Sequence, residues 1–155
     1  MNGAELREFR MNKSKPVLIT SFGFTLIGVL AVAIFMYFNF TTVVVSGNSM
    51  EPTFANRDRV LVTKAYWLVG GIKKKDIVVL RSTDGSPIIK RVYALSGESV
   101  DFYNVPDEWK LANGEYHVPE NSVYVLGDNR EVSEDSRKFG AVEESQIIGK
   151  VINPR

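Results

Sequence analysis

The 155-residue chain contains no cysteine and a single histidine, His117, so the usual bases and thiol nucleophiles are nearly absent. A serine is nonetheless set where chemistry is feasible. In SGNSMEP, Ser46 to Pro52, Gly47 and Asn48 favour a turn, and Pro52 restricts Glu51 and ends any regular run. Ser49 therefore sits on a turn with its hydroxyl exposed and a free backbone N–H beside it. By default such a serine is merely solvated. It becomes a nucleophile only when a base takes its proton. His117 lies in NGEYHVPEN, a polar, turn-rich stretch with no nucleophile nearby in sequence, and reads as a surface histidine. A Ser-His-Asp triad is disfavoured on that ground.

A lysine can replace histidine if it is kept neutral. Bringing its pKa from about 10.4 to about 7–8 costs on the order of 4 kcal/mol, which desolvation can supply. In SPIIKRVYAL, Ser86 to Leu95, a strand period of two puts Ile88, Lys90, Val92 and Ala94 on one face. Lys90 is the only polar group there, and it leads on burial pattern. Lys64, in RVLVTKAYW, is the alternative, while Lys73 to Lys75 form a polar run that stays hydrated. A third cluster, LGDNREVSEDSRKFG from Leu126 to Gly140, opens on a strong turn signal at Gly127, Asp128 and Asn129. Ser133, Asp135, Ser136 and Arg137 come next. They read either as a surface loop tied by ion pairs or as groups that hold a base in place by hydrogen bonds.

These residues need elements to position them. After residue 40 the chain is a series of short runs rich in Val, Ile and Tyr: TTVVV, RVLVTKA, DIVVLR, PIIKRVYAL, SVDFY, SVYVLG and QIIGKVI. Gly, Asp, Asn, Pro and Ser punctuate them at about ten-residue intervals, the signature of strands and turns. The predicted fold is mainly β: a compact antiparallel sandwich or partly open barrel over residues 41–155. That region carries 15 Lys/Arg and 16 Asp/Glu, a balance that speaks against a nucleic-acid partner. No metal or cofactor motif stands out.

Before it lies an uncharged stretch from Pro16 to Met50. Within it, Val17 to Phe38 gives 22 almost wholly apolar residues, enough as a helix to cross a hydrocarbon core of about 30 Å. A cleavable leader is the rival reading, but its small-x-small site, Ala31-Val32-Ala33, falls inside the apolar run rather than after it. Arg7, Arg10, Lys13 and Lys15 precede the helix, and no Lys or Arg comes after it until Arg57. Residues 1–16 are therefore expected in the cytoplasm and residues 41–155 outside it. The loop YWLVGGIKKK, Tyr66 to Lys75, sets apolar and aromatic residues beside lysines. It reads either as a bilayer contact or as a hairpin with Trp67 tucked into the core.

Taken in order, SGNSMEPTF, DIVVLRS, IIKRVYALSGESV and GDNREVSEDSRKFG resemble the successive boxes of the bacterial type I signal peptidases, and the single anchor just before the first box also matches. The resemblance runs from Val17 to Val151 and is nearest to the compact Gram-positive form. It implies a Ser–Lys endopeptidase that removes signal peptides from exported precursors at the outer face of the plasma membrane, after small residues at the first and third positions before the cut. It further implies Ser49 as nucleophile, Lys90 as base, Ser133 as a partner orienting the Lys90 amine, Asp135 and Arg137 as a bracing pair, and Asp128 and Asn129 as the turn beneath. The oxyanion hole would include the Ser49 N–H. Some relatives carry a serine two positions before the nucleophile; here that place is Gly47, with Ser46 one step earlier, so the second donor stays open. Met50, Val44 and Ile89 are candidate linings of the substrate pockets. Precursor proteins and the lipid bilayer are the expected partners. An inactive peptide-binding relative, a self-cleaving Ser–Lys repressor and an anchored adaptor are the competing readings, and oligomeric state is left open.

Overall fold

The computed structural model describes residues 16–82 and 85–152, and the side chains of all of these except residues 16–21 and 111. The uncharged stretch forms one helix, α1 (Pro16–Asn39). Its described side chains from Phe22 to Phe38 are almost all exposed, although they are apolar on every side. Phe22–Asn39 is long and apolar enough to cross a membrane, the environment that suits a helix with no polar face. The expected tail lies outside the described residues apart from Pro16. The helix up to Phe38 and the residues from Asn39 onward are two separate compact units.

The second unit is β. Its strands are β1 (Phe40–Val44), β2 (Arg59–Thr63), β3 (Ile77–Arg81), β4 (Pro87–Leu95), β5 (Ser99–Val100), β6 (Tyr116–His117), β7 (Ser122–Leu126), β8 (Val142–Glu143) and β9 (Ile147–Val151). Seven of them build one antiparallel sheet, a half-barrel in the order β1-β2-β9-β3-β4-β7-β8; β5 and β6 pair separately. The expected strand in SVDFY stops at Val100. Asp101 accepts a hydrogen bond from the N–H of Tyr103 at 3.1 Å, turning the chain out of the ladder. The sheet has apolar clusters on both faces. Val45, Met50, Phe54, Val60, Val62, Ile77, Val79, Ile89 and Val151 form one, and Val78, Leu80, Val92, Val123, Val125, Val142 and Ile147 another.

The pairing leaves free edges on β1 and on part of β4. β1 is an edge strand, bonded only to β2. β4 pairs with β3 over Pro87 to Arg91, but with β7 only from Arg91 onward. The segment Pro87 to Lys90 therefore keeps one edge open. One short helix, α2 (Ser136–Phe139), closes the third motif.

Candidate active site

Ser49 lies in a tight turn closed by Glu51 N–H to Asn48 O at 3.2 Å and Phe54 N–H to Met50 O at 2.9 Å. Gly47 enters it at φ +83°, a left-handed conformation that favours glycine, and its N–H is held by Asn56 Oδ1 at 3.1 Å. A serine would be strained in that conformation. Met50 and Phe54, 1% and 2% exposed, anchor the turn in the core.

Lys90 comes from the middle of β4 and is 4% exposed. Its amine lies 2.8 Å from Ser49 Oγ. The ammonium donates that hydrogen bond; once the amine is neutral, the hydroxyl can donate it instead. Burial lowers the Lys90 pKa from its ordinary value, and the Asp135 and Glu134 carboxylates only partly oppose this. The alternatives lie elsewhere: Lys64 is exposed, and His117 is on β6, paired loosely with Glu115 at 3.7 Å.

The third motif packs under this pair. Asn129 N–H donates to Ser49 O at 3.0 Å. Asp128 accepts two hydrogen bonds from Arg91, at 2.7 and 2.6 Å, and one from Thr53 Oγ1 at 2.5 Å. Burial pushes the Asp128 carboxyl up, but the Arg91 and Thr53 bonds outweigh it and hold the group below the usual range. Asp135, with no exposed surface, accepts from the Gly127 N–H at 3.0 Å and from Arg137 Nε and Nη2 at 2.9 and 3.0 Å. Here too burial is overcome, chiefly by Arg137, and the carboxyl is held low. Ser136 Oγ takes the Val125 N–H at 3.0 Å.

Gly127 is where these pieces meet. A Cβ built on it would fall 2.1 Å from Ser133 Oγ and 2.6 Å from Ser49 O. Ser133 and the Ser49 carbonyl thus both lie against Gly127. The Ser133 hydroxyl stands close enough to Asp135 to favour that charge but makes no hydrogen bond of good geometry, and the bond expected from it to Lys90 is not formed here. Thr53 and Arg91 are positioning groups to which the sequence patterns assign no role, and Ser136, read there only as one of several groups that could hold a base, bonds the β7 backbone instead. Thr53 is a conspicuous hydroxyl inside a motif, and that is the signal by which it could be found.

A groove of about 420 Å³ opens at Ser49 and Lys90. Val43 to Ser46 line one side and Ser86 to Ile89 the other, with Met50 at its base. It thus gathers Ser46, Val44, Met50 and Ile89 beside the pair.

The comparisons agree with the motifs. The family described as signal peptidase, peptidase S26, matches residues 18–106 and 103–154. The signal peptidase IB of Staphylococcus aureus strain COL is 32% identical over 143 residues, 72% of this chain and 75% of that one. The signal peptidase I of Bacillus caldolyticus is 32% identical over 153 residues, 81% of this chain and 84% of its own. A crystal structure of a signal peptidase I from Enterococcus faecalis aligns at 26% identity and a TM-score of 0.40, over 53% of this chain and 97% of that one. On the family match and the identity of these relatives, the chain belongs to the S26 family of signal peptidases.

Proposed function

We propose that this protein is a membrane-anchored serine endopeptidase that cuts signal peptides from exported precursors, with Ser49 as nucleophile and Lys90 as general base. The observation that carries the reading is the 2.8 Å approach of a buried lysine amine to a serine hydroxyl on a rigid turn. The neutral amine takes the Ser49 proton as Oγ attacks the scissile carbonyl carbon. The ammonium then returns that proton to the departing amine, leaving an acyl-enzyme. Water attacks the ester with Lys90 again as base, and Ser49 recovers its proton as the signal peptide leaves. The Ser49 N–H stabilises the developing oxyanion, a donor type worth about 3–4 kcal/mol of barrier.

The groove explains how a precursor would be held. β1 and Pro87–Lys90 each present an open edge to it, so an extended peptide can add as a strand against one or both. Val44, Met50 and Ile89 make its walls apolar, which suits small residues at the first and third positions before the cut. With the basic tail inside, α1 delivers the β unit to the outer face, where a precursor's own apolar segment ends.

The test is cleavage of a precursor ending in Ala-x-Ala by the full chain in liposomes, from pH 6 to 10. Both Ser49→Ala and Lys90→Ala are expected to lose at least about 100-fold in rate. The wild-type acidic limb should lie below a free lysine's pKa. Cleavage that survives Lys90→Ala would move the base elsewhere. Binding without cleavage by the wild type would make this an inactive relative.

A further inference from the structure

Beyond the groove, β4 carries a second depression. Ser86 to Lys90 line the groove; Arg91, Val92 and Tyr93 line a cavity of about 390 Å³ that continues along the same strand. Lys90, the last β4 residue of the groove, is followed directly by Arg91, the first of the cavity. The Asp128–Asn129 turn joins the two, because Asn129 N–H holds the Ser49 carbonyl while Asp128 holds Arg91, a wall of the cavity.

The two depressions differ in what they offer a peptide. From Arg91 onward β7 occupies the edge of β4, so a chain leaving the groove past Ser49 cannot continue by strand addition. It has to be held by side chains. Those around the cavity are Lys74, Lys75, Arg91 and Arg130 over a floor that includes Tyr93 and Leu126, and no acid among the described residues lines it. Arg91 is neutralised by Asp128, and Lys74 shares an exposed pair with Glu98 at 3.3 Å. Lys75 is exposed with no acid within ion-pair reach among the described residues. Arg130 bonds the neutral Asn104 Oδ1 at 2.7 Å and lies over the Tyr93 ring. Lys75 and Arg130 thus make no ion pair among the described residues, at a cavity whose β4 wall begins one residue after Lys90.

We infer that this cavity receives the residues just after the cut, the first residues of the released mature chain, and favours an aspartate or glutamate among them. The inference rests on the Ser49–Lys90 reading and adds to it a charge preference on the product side. The apolar floor takes the methylenes of the acidic side chain, while Lys75 and Arg130 meet its carboxylate.

The measurement uses the full-length Ser49→Ala protein in detergent micelles and three fluorescent precursor peptides. The peptides are identical up to the cut and carry Asp-Glu, Ala-Ser or Lys-Lys at the second and third positions after it. At low salt the acidic peptide is expected to bind about fivefold tighter than the neutral one, the gain from two partly exposed charge pairs. Lys75→Glu combined with Arg130→Gln should abolish or reverse that ratio, and about 0.5 M salt should reduce it. Equal affinities, or a ratio that both substitutions leave intact, would overturn the inference. Parallel cleavage by the protein with Ser49 restored separates the two readings. No cleavage with the ratio retained sinks the Ser–Lys chemistry and leaves the subsite standing. Cleavage with no charge preference does the reverse.

Discussion

Lys90, the base proposed above, is held by the fold where an ammonium is poorly solvated, and that placement has a cost. Its pKa is lowered in the folded chain, so below about pH 10.4 the unfolded chain binds the proton more readily than the folded one. Stability is therefore reduced at neutral pH and recovers as pH rises towards the unfolded value. Lys90→Met, which keeps the volume and removes the charge, should lose about 10²–10⁴ in rate yet melt at a higher temperature at pH 7. The difference should close above about pH 10.4, and a melting curve that drops at pH 7 would contradict the burial argument. Gly127 gives a second test at this scale. Gly127→Ala drives a methyl into Ser133 and the Ser49 carbonyl, so it should destabilise by about 1–3 kcal/mol and misplace the nucleophile. Adding Ser133→Gly should recover part of the stability in urea titrations but little activity, since the contact with the Ser49 backbone remains.

The strand β7 shows what the third motif does for an element. β8 pairs only with Ser122 and Val123, so the rest of that edge would be left open. Ser136 and Asp135 take the N–H groups of Val125 and of Gly127, just past its end, and hold the strand against the Ser49 turn. Asp135→Ala should cost about 2–4 kcal/mol at pH 7, because it leaves a buried N–H and the Arg137 guanidinium without their partner. The Asp135 carboxyl is held low, so its contribution is present above an ordinary aspartate's pKa of about 3.9 and fades as pH falls through the lowered folded value. Urea titrations of wild type and variant should converge in acid. At this scale the sequence is informative where a pattern is local. The alternation in PIIKRVYAL locates β4 over Pro87–Leu95 and puts Lys90 on its apolar face, and the apolar run locates α1. It says little about contacts made by register. That Arg91 would grip Asp128 and Thr53 depends on β4 meeting β7 first at Arg91, a pairing no spacing within one strand encodes. The two-residue strands β6 and β8 are equally illegible, since so short a run has no period to read.

For the molecule as a whole, the open question is what the loop at Tyr66 to Lys75 meets. Tyr66–Val69 forms one 3₁₀ turn with no buried residue; Trp67, Leu68 and Val69 are 69%, 52% and 45% exposed, so Trp67 is not tucked into the core. The turn is nonetheless rigidly built. Gly71 N–H closes it on Tyr66 O at 2.9 Å, Lys150 Nζ holds Gly71 O at 3.1 Å, and Asp76 ties Lys150 and the Lys73 N–H, both at 2.7 Å. It hangs from the end of the β1–β2 ladder where Phe40 pairs with Thr63, one residue after α1 ends. Exposed Lys64, Lys73, Lys74 and Lys75 flank it in the chain, with no acid between them. An ordered apolar wedge flanked by lysines suits an interface of anionic headgroups rather than water. Binding alone cannot test this, because α1 would hold the protein in a bilayer regardless. The test is depth. With Trp109→Phe leaving Trp67 as the only tryptophan, its emission should shift to the blue in liposomes and be quenched by lipids brominated near the headgroup. Raising the anionic lipid fraction should strengthen the quenching, and replacing Lys73 to Lys75 with glutamine should weaken it. A Trp67 that emits as in water and ignores brominated lipid would place the turn in solvent, and the wedge would need another occupant.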